Sequence, residues 1–289
     1  MFKGLKFCLL ALIFLIVIIF FVVKSAFSTN NDILNLFDRV LGREKKVAPL
    51  VLKEEKTLRI IEGWRNRDIA DLLVKNNLAT KEEFVAAQKD YDTSKFSFLT
   101  DKPKGTDLEG FLYPDTYRVF ASSTVSEIIT KMLSNFDKKL TPKMRADIAS
   151  QGKTINEIIT MASIIEKEAP ISYTKSDNKD AKIISGIFWR RIKVGQALQS
   201  CATLAYILGV DKAQYSEIDT KIKSPYNTYQ NPGLPPGPIA NPGILAIEAA
   251  IYPTPSNYNY FLTPSNSNDI IYSVTYDEHL RNKNKYIDN

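Results

Sequence analysis

Residues 154–170 read TINEIITMASIIEKEAP. Thr154 followed by Glu157 is the Ser/Thr-x-x-Glu signature of a helix start. Ile158, Met161, Ala162 and Ile165 recur at helical spacing and make an apolar face, and Pro170 stops the run. The stretch is therefore one short amphipathic helix. Its last turn carries two carboxylates, Glu166 and Glu168, where the helix's own unsatisfied carbonyls disfavour negative charge. The two lie roughly 200° apart around the axis, so they cannot both enter one cleft. Both flank the apolar stripe, and the helical wheel does not choose between them. Glu168 is nearer the C-terminal end. The partial negative charge there raises a carboxyl pKa, as a general acid working near neutral pH requires. The alternative is a solvated pair either side of Lys167, and this segment alone leaves both open.

Working outward, the same capping signature recurs. Thr80 with Glu83, Thr124 with Glu127 and Thr275 with Glu278 each precede a helical pattern, and Thr141 is followed by Pro142 at a first helical position. TLRIIEG (57–63) reads as a strand ending at Gly63, and NRDIADLLVKNN (66–77) as a helix. Strand, helix, helix makes a small unit over 55–92. LEGFLYPDTYRV (108–119) is an aromatic-rich turn segment leading to a second, helix-rich part. That part contains AKIISGIFWRRIKVG (181–195), ATLAYILG (202–209) and ILAIEAAIY (244–252). YNYFLT (258–263) and DIIYSV (269–274) read as two strands around the turn PSNSN. The expected class is α+β: a small first subdomain, then a helix-rich domain with a small β-hairpin.

The N-terminus is different. Residues 7–23, FCLLALIFLIVIIFFVV, are uninterruptedly apolar and near the lower limit for crossing a bilayer. Lys3 and Lys6 precede the run, so the positive-inside rule keeps the N-terminus cytoplasmic and places the rest outside. A cleaved signal peptide is the rival, but VVKSAFS (22–28) offers no good small-x-small site. The expected organisation is a cytoplasmic tail and single transmembrane anchor (1–28), a tether (29–54), a first subdomain (55–107) and a main domain (108–289).

Composition excludes several classes. The 289 residues carry a net charge of +6; removing Lys3, Lys6 and Lys24 of the anchor leaves +3. No basic stripe with interleaved aromatics follows, so no nucleic-acid partner is expected. Cys8 lies inside the apolar run and Cys201 far from it, so no disulfide framework is expected. With one histidine and no Cys/His cluster, no metal site is expected.

SPYNTYQNPGLPPGPIANPG (224–243) is too rich in Pro and Gly for helix or strand. It presents Tyr226, Asn227 and Tyr229. Aromatic faces with interspersed amides suit sugar rings, and they equally suit a loop whose tyrosines cover a core.

Taken together, MASIIEKE, LQSCAT, SPYNTY, GLPPGPIANPG and EGFLYPDTYRV, in this order-specific set, resemble the endolytic murein transglycosylases, the YceG-like or MltG family. The resemblance is strongest from about Glu109 to the final helix. It implies a LysM-like first subdomain, a peptidoglycan substrate and no cofactor or metal. It places the essential glutamate on Glu168 and cleft residues on Tyr226, Asn227, Tyr229, Gln199, Ser200 and Thr203. Two positions depart from the family pattern: Cys201 stands where Asp is common, and Arg190 where Asn is common. Arg191 matches the family. His279 matches an Glu-His pair in the last helix and is read first as a helix-packing residue.

One carboxylate suffices if the attacking hydroxyl belongs to the substrate. The 6-hydroxyl of N-acetylmuramic acid can reach its own C1, closing a 1,6-anhydro ring. Two other readings are a wall-binding protein that has lost catalysis and a hydrolase with Asp115 or Glu109 as second carboxylate. Expected partners are glycan strands, the membrane through residues 7–23 and cell-wall synthases of the penicillin-binding type.

Overall fold

The computed structural model describes residues 54–173, 178–212, 214–264 and 269–287. The apolar run 7–23 lies outside them. Among the described residues, no helix is long and apolar enough to cross a membrane.

Residues 53–289 form one compact unit. It is a mixed, helix-rich α+β fold. The order is β1 (Glu55–Arg59), α1 (Asn66–Lys75), α2 (Lys81–Lys89), β2 (Thr116–Phe120), α3 (Val125–Lys139), α4 (Pro142–Ser150), α5 (Ile155–Glu168), α6 (Lys179–Lys193), α7 (Cys201–Leu208), α8 (Ile244–Ile251), β3 (Tyr260–Leu262), β4 (Ile271–Ser273) and α9 (Tyr276–Tyr286). β1 pairs antiparallel with β2, Glu55 opposite Phe120 and Arg59 opposite Thr116. The boundary expected at residue 107 therefore falls between the two strands of one sheet. β3 and β4 form the expected hairpin.

β1 ends at Arg59 rather than Gly63. Ile60 still bonds across to Asp115, after which the chain turns through Gly63 at φ 77°. Residues 63–66 are then held by a distant side chain, Asn241. Its backbone N–H donates to the Trp64 carbonyl and its carbonyl accepts from Gly63. Its amide Nδ2 donates to Trp64 O (3.0 Å), Asn66 Oδ1 (3.2 Å) and Glu109 Oε1 (3.2 Å), while its Oδ1 accepts from Leu112 N (3.0 Å). Asn241 is fully buried, so each of these groups would otherwise be desolvated without a partner. The EGFLYPDTYRV and PIANPG motifs thus meet in one buried polar knot. Gly110 sits in it at φ 89°, where a Cβ would strike the Pro238 ring at 2.4 Å.

α5 is the central element. It contacts α4, α6, α7 and α8. Every residue from Ile158 to Ile165 is buried, so the expected one-sided apolar face is in fact a helix enclosed on all sides. Its two mid-helix hydroxyls are satisfied internally: Thr160 Oγ1 donates to Asn156 O and Ser163 Oγ to Thr160 O, both at 2.8 Å. This burial fixes the position of the last turn, where the two glutamates leave the core.

The capping signatures are realised. At α5, Glu157 N donates to Thr154 Oγ1 (3.1 Å) and Thr154 N to Glu157 Oε2 (2.7 Å). The Thr80–Glu83 and Thr124–Glu127 pairs close in the same way.

Candidate active site

Glu168 is the last residue of α5, and the N-terminus of α7 faces it. Ser200 occupies the N-cap position of α7 without capping it. Its hydroxyl instead donates to Glu168 Oε1 at 2.5 Å. The second N–H of α7, from Ala202, donates to the same oxygen at 3.2 Å. Glu168 therefore supplies the acceptor that α7's own N-cap withholds. The repulsion from the C-terminus of α5 is offset by the N-terminus of α7, a partner that the helix sequence alone does not reveal. Oε2 makes no hydrogen bond to a described residue.

Glu168 opens into a cleft of about 340 Å³. Its walls include Gln199, Ser200, Cys201, Tyr229, Arg191 and, from the C-terminal hairpin and helix, Tyr260, Tyr276, His279 and Lys283. Among the described residues that line it, Glu168 is the one acid. Glu109 lines a different cavity, and Asp115 is exposed and accepts from Asn135 Nδ2.

Glu166 points elsewhere. Its Oε2 accepts from Tyr173 Oη (2.6 Å) and from Gly243 N (3.0 Å), the N-cap residue of α8. Burial pushes its carboxyl above the ordinary range, opposed by those two hydrogen bonds. It joins α5 to α8.

Of the residues expected at the cleft, Gln199, Ser200 and Tyr229 line it; Tyr226, Asn227 and Thr203 do not. Asn227 is 0% exposed. Its amide donates to Thr220 O and Ile222 O and accepts from Tyr229 N. Thr203 Oγ1 donates to Ser200 O (2.7 Å) and meets Thr228 Oγ1 (2.9 Å). Thr228 in turn accepts from the N–H groups of Gln199 and Ser200. These residues hold the 199–200 segment against the 226–229 loop. That support keeps Gln199, a non-glycine residue, at φ 54° in the left-handed region. Tyr226 packs on Tyr206 at 4.9 Å between ring centres.

The two departures from the family pattern differ in kind. Arg190 donates to Ser256 O, Tyr258 O and Asn259 Oδ1, clamping the chain just before β3. Cys201 is in the cleft, 3.1 Å from Tyr229 Oη. Burial pushes its thiol pKa up, the Tyr229 hydrogen bond opposes this, and the Glu168 charge adds to the rise.

His279 is both packed and in the cleft. Its ring stacks on Tyr260 at 5.2 Å. Burial first, then the neighbouring Arg191 and Lys283, lower its pKa. Tyr276, His279 and Lys283 are spaced by three and four residues, one helix face readable in the sequence. Arg191 lines the same cleft. It donates to Leu198 O (2.5 Å) and Asn259 O (2.7 Å), tying the 198–200 segment to β3.

The cleft thus sets a single acid among aromatic rings, hydroxyls and the cations Arg191 and Lys283. The chain belongs to the YceG-like family, whose family model matches residues 29–285. It is similar to an endolytic murein transglycosylase of Streptococcus pneumoniae, 36% identical over 185 residues, which are 62% of this chain and 32% of that protein. It is similar also to an endolytic murein transglycosylase of Bacillus subtilis, 31% identical over 238 residues, 79% of this chain and 64% of that protein. The chain thus spans about a third of the first relative and just under two thirds of the second. A crystal structure of a YceG-like protein from Listeria monocytogenes superposes with a TM-score of 0.69 at 34% identity, covering 78% of this chain and 76% of that one.

Proposed function

We propose that this protein is an endolytic peptidoglycan lytic transglycosylase, cleaving the bond from N-acetylmuramic acid to N-acetylglucosamine with 1,6-anhydro ring formation. The observation that carries the reading is Glu168: one acid in the cleft, one oxygen fixed by Ser200 and Ala202, the other unengaged. The relatives named endolytic murein transglycosylase support the substrate class.

Glu168, protonated on its unengaged oxygen, gives that proton to the glycosidic oxygen as the bond to the muramyl C1 breaks. The oxocarbenium-like charge forms beside the Glu168 carboxylate. The carboxylate then takes the proton of the sugar's 6-hydroxyl, whose oxygen closes on C1. The nucleophile is intramolecular, so no second carboxylate is needed to activate water. Gln199, Tyr229 and Tyr260 contact the glycan; Ser200 holds Glu168, and Asn227 and Thr203 act by positioning the 199–200 segment and Tyr229.

The apolar run 7–23 supports a single-pass anchor in the cytoplasmic membrane, with the cleft on the outer side facing nascent strands. A LysM-like role for residues 55–107 and contact with cell-wall synthases belong to the same reading.

Product analysis tests the mechanism. Digestion of purified strands in ¹⁸O-labelled water should leave the new muramyl ends unlabelled, one water lighter than hydrolysis ends, and resistant to borohydride. Labelled, reducible ends would replace this mechanism with hydrolysis. Anhydro ends released only from strand termini would keep the chemistry and reject internal cleavage.

A further inference from the structure

Away from Glu168, between α1 and α2, lies a second cavity of about 310 Å³. Its walls include Arg65, Gln88, Phe84, Asp107, Glu109 and Tyr206. Two of these side chains are nearly buried yet carry donors without acceptors. Arg65, the N-cap residue of α1, is 6% exposed. Its guanidinium lies over the Tyr206 ring, 5.1 Å from the centroid, and makes no hydrogen bond or ion pair to a described residue. Gln88 is 5% exposed. Its Oε1 accepts from Asn66 Nδ2 (2.6 Å) and Leu108 N (3.4 Å), which leaves its Nε2 donors unengaged.

A guanidinium that faces a cavity without a hydrogen-bonded acceptor is open to a ligand, and its planar fork matches a carboxylate. The nearby acids Asp211, Glu109 and Asp68 attract the Arg65 charge, but none forms a hydrogen bond or ion pair with its guanidinium. Asp68 accepts from the Arg65 backbone N–H, and Asp107 from the Glu109 N–H. Glu109 accepts from Asn66 N and Asn241 Nδ2. Burial pushes the Glu109 pKa up to about 8, against the Asn66 hydrogen bond, so near neutral pH it is largely uncharged. Arg67 also lines the cavity, but its guanidinium is engaged, donating to Gly209 O and pairing with Asp68. Phe84 and Ala70 give the cavity an apolar wall that suits a short aliphatic group beside the anion.

We propose that this cavity is a carboxylate-binding site that receives a free carboxylate of the peptide stem carried by the glycan, with Arg65 and Gln88 as its donors. The identity of the ligand rests on the peptidoglycan reading above. α7 joins the two sites: Ser200 and Ala202 at its start hold Glu168, and Tyr206 near its end supports Arg65. Tyr206 lies six residues beyond Ser200, roughly 9 Å along the axis. A glycan in the cleft and its stem in the cavity can therefore be read by one molecule.

The test reads binding without catalysis. The full chain, in detergent micelles and ¹⁵N-labelled, is titrated with N-acetylmuramyl tripeptide and with the same compound bearing amidated carboxyls. The Gln88 side-chain amide and Arg65 Nε signals should shift saturably with the acid and not with the amide. Gln88→Glu keeps the acceptor for Asn66 and offers Arg65 an internal carboxylate. It should abolish binding without lowering Tm. Arg65→Met removes the charge and keeps an apolar stem, and it should weaken tripeptide binding about tenfold or more. Equal response to the amidated compound would overturn carboxylate recognition. No response to either would make the cavity a hydrated void and overturn the site. Hydrolytic products in the labelled-water experiment, with intact tripeptide binding, would sink the mechanism and leave this site standing.

Discussion

Glu168 caps a helix that is not its own: its Oε1 accepts the Ser200 hydroxyl at 2.5 Å and the Ala202 N–H at 3.2 Å, at the N-terminus of α7. A carboxylate so held is fixed in position with one oxygen committed and one open. That division assigns different consequences to the two glutamates of the EKE run.

Glu168→Gln keeps the size and removes proton transfer, so turnover of glycan strands should fall by about 10²-fold or more. Glu166→Gln should fall far less, because Glu166 joins Tyr173 to the start of α8 and does not line the cleft. Its cost should appear in thermal unfolding. If the two variants exchange behaviour, the assignment within the run is wrong.

Ser200→Ala removes the short hydroxyl contact but leaves the Ala202 N–H on Glu168. Since Ser200 does not cap α7, the helix start itself is not weakened. A hydrogen bond to a charged group is worth about 1.5–3 kcal/mol, so kcat should drop roughly tenfold to a hundredfold with KM little altered. A loss confined to KM would show that Ser200 serves binding rather than the acid.

How much of this was legible in the chain follows from the range of each interaction. The Thr154–Glu157 box spans three residues, and the sequence contains both partners. The enclosure of α5 is not local: the charged run Glu166–Glu168 reads as a surface end, and only α4, α6, α7 and α8 together bury the preceding turns. Asn227 and Tyr229 carry similar sequence signals as polar and aromatic loop residues. Yet one amide turns inward to Thr220 and Ile222 while the ring faces the cleft. Residue type is written in the sequence; side-chain direction is set by packing. Tyr276, His279 and Lys283 mark a helix face, but β3 decides that this face meets Glu168.

Asn241→Ala should be among the most destabilising polar substitutions in the protein. It removes hydrogen bonds to Trp64, Asn66, Glu109 and Leu112 at once, all inside the core. Leaving buried groups without partners costs about 1–3 kcal/mol each, so a loss of about 3 kcal/mol or more is expected in denaturant unfolding. A loss under about 1 kcal/mol would mean that water replaces the amide and that the two motifs are joined by packing alone.

Glu109 makes stability depend on pH in an unusual direction. Its carboxyl is pushed by burial from an ordinary 4.5 up to about 8 in the folded protein. Between those values the folded state holds a proton that the unfolded state has released. Stability then falls as pH rises, because the slope follows the protons bound unfolded minus those bound folded. The contribution is fully present below about pH 4.5, declines across the window and has gone above about 8. The limiting slope for one proton is about 1.4 kcal/mol per pH unit. Glu166, also raised by burial, acts in the same sense, so the raw profile sums both groups. Glu109→Gln isolates one of them: it retains an acceptor for Asn66 N and cannot ionise. Denaturant unfolding at pH 5, 6, 7 and 8 should show the wild-type protein losing stability relative to the variant at each step. Parallel profiles across that range would mean that Glu109 is charged in the folded state at pH 5, held as a carboxylate by Asn66 and Asn241.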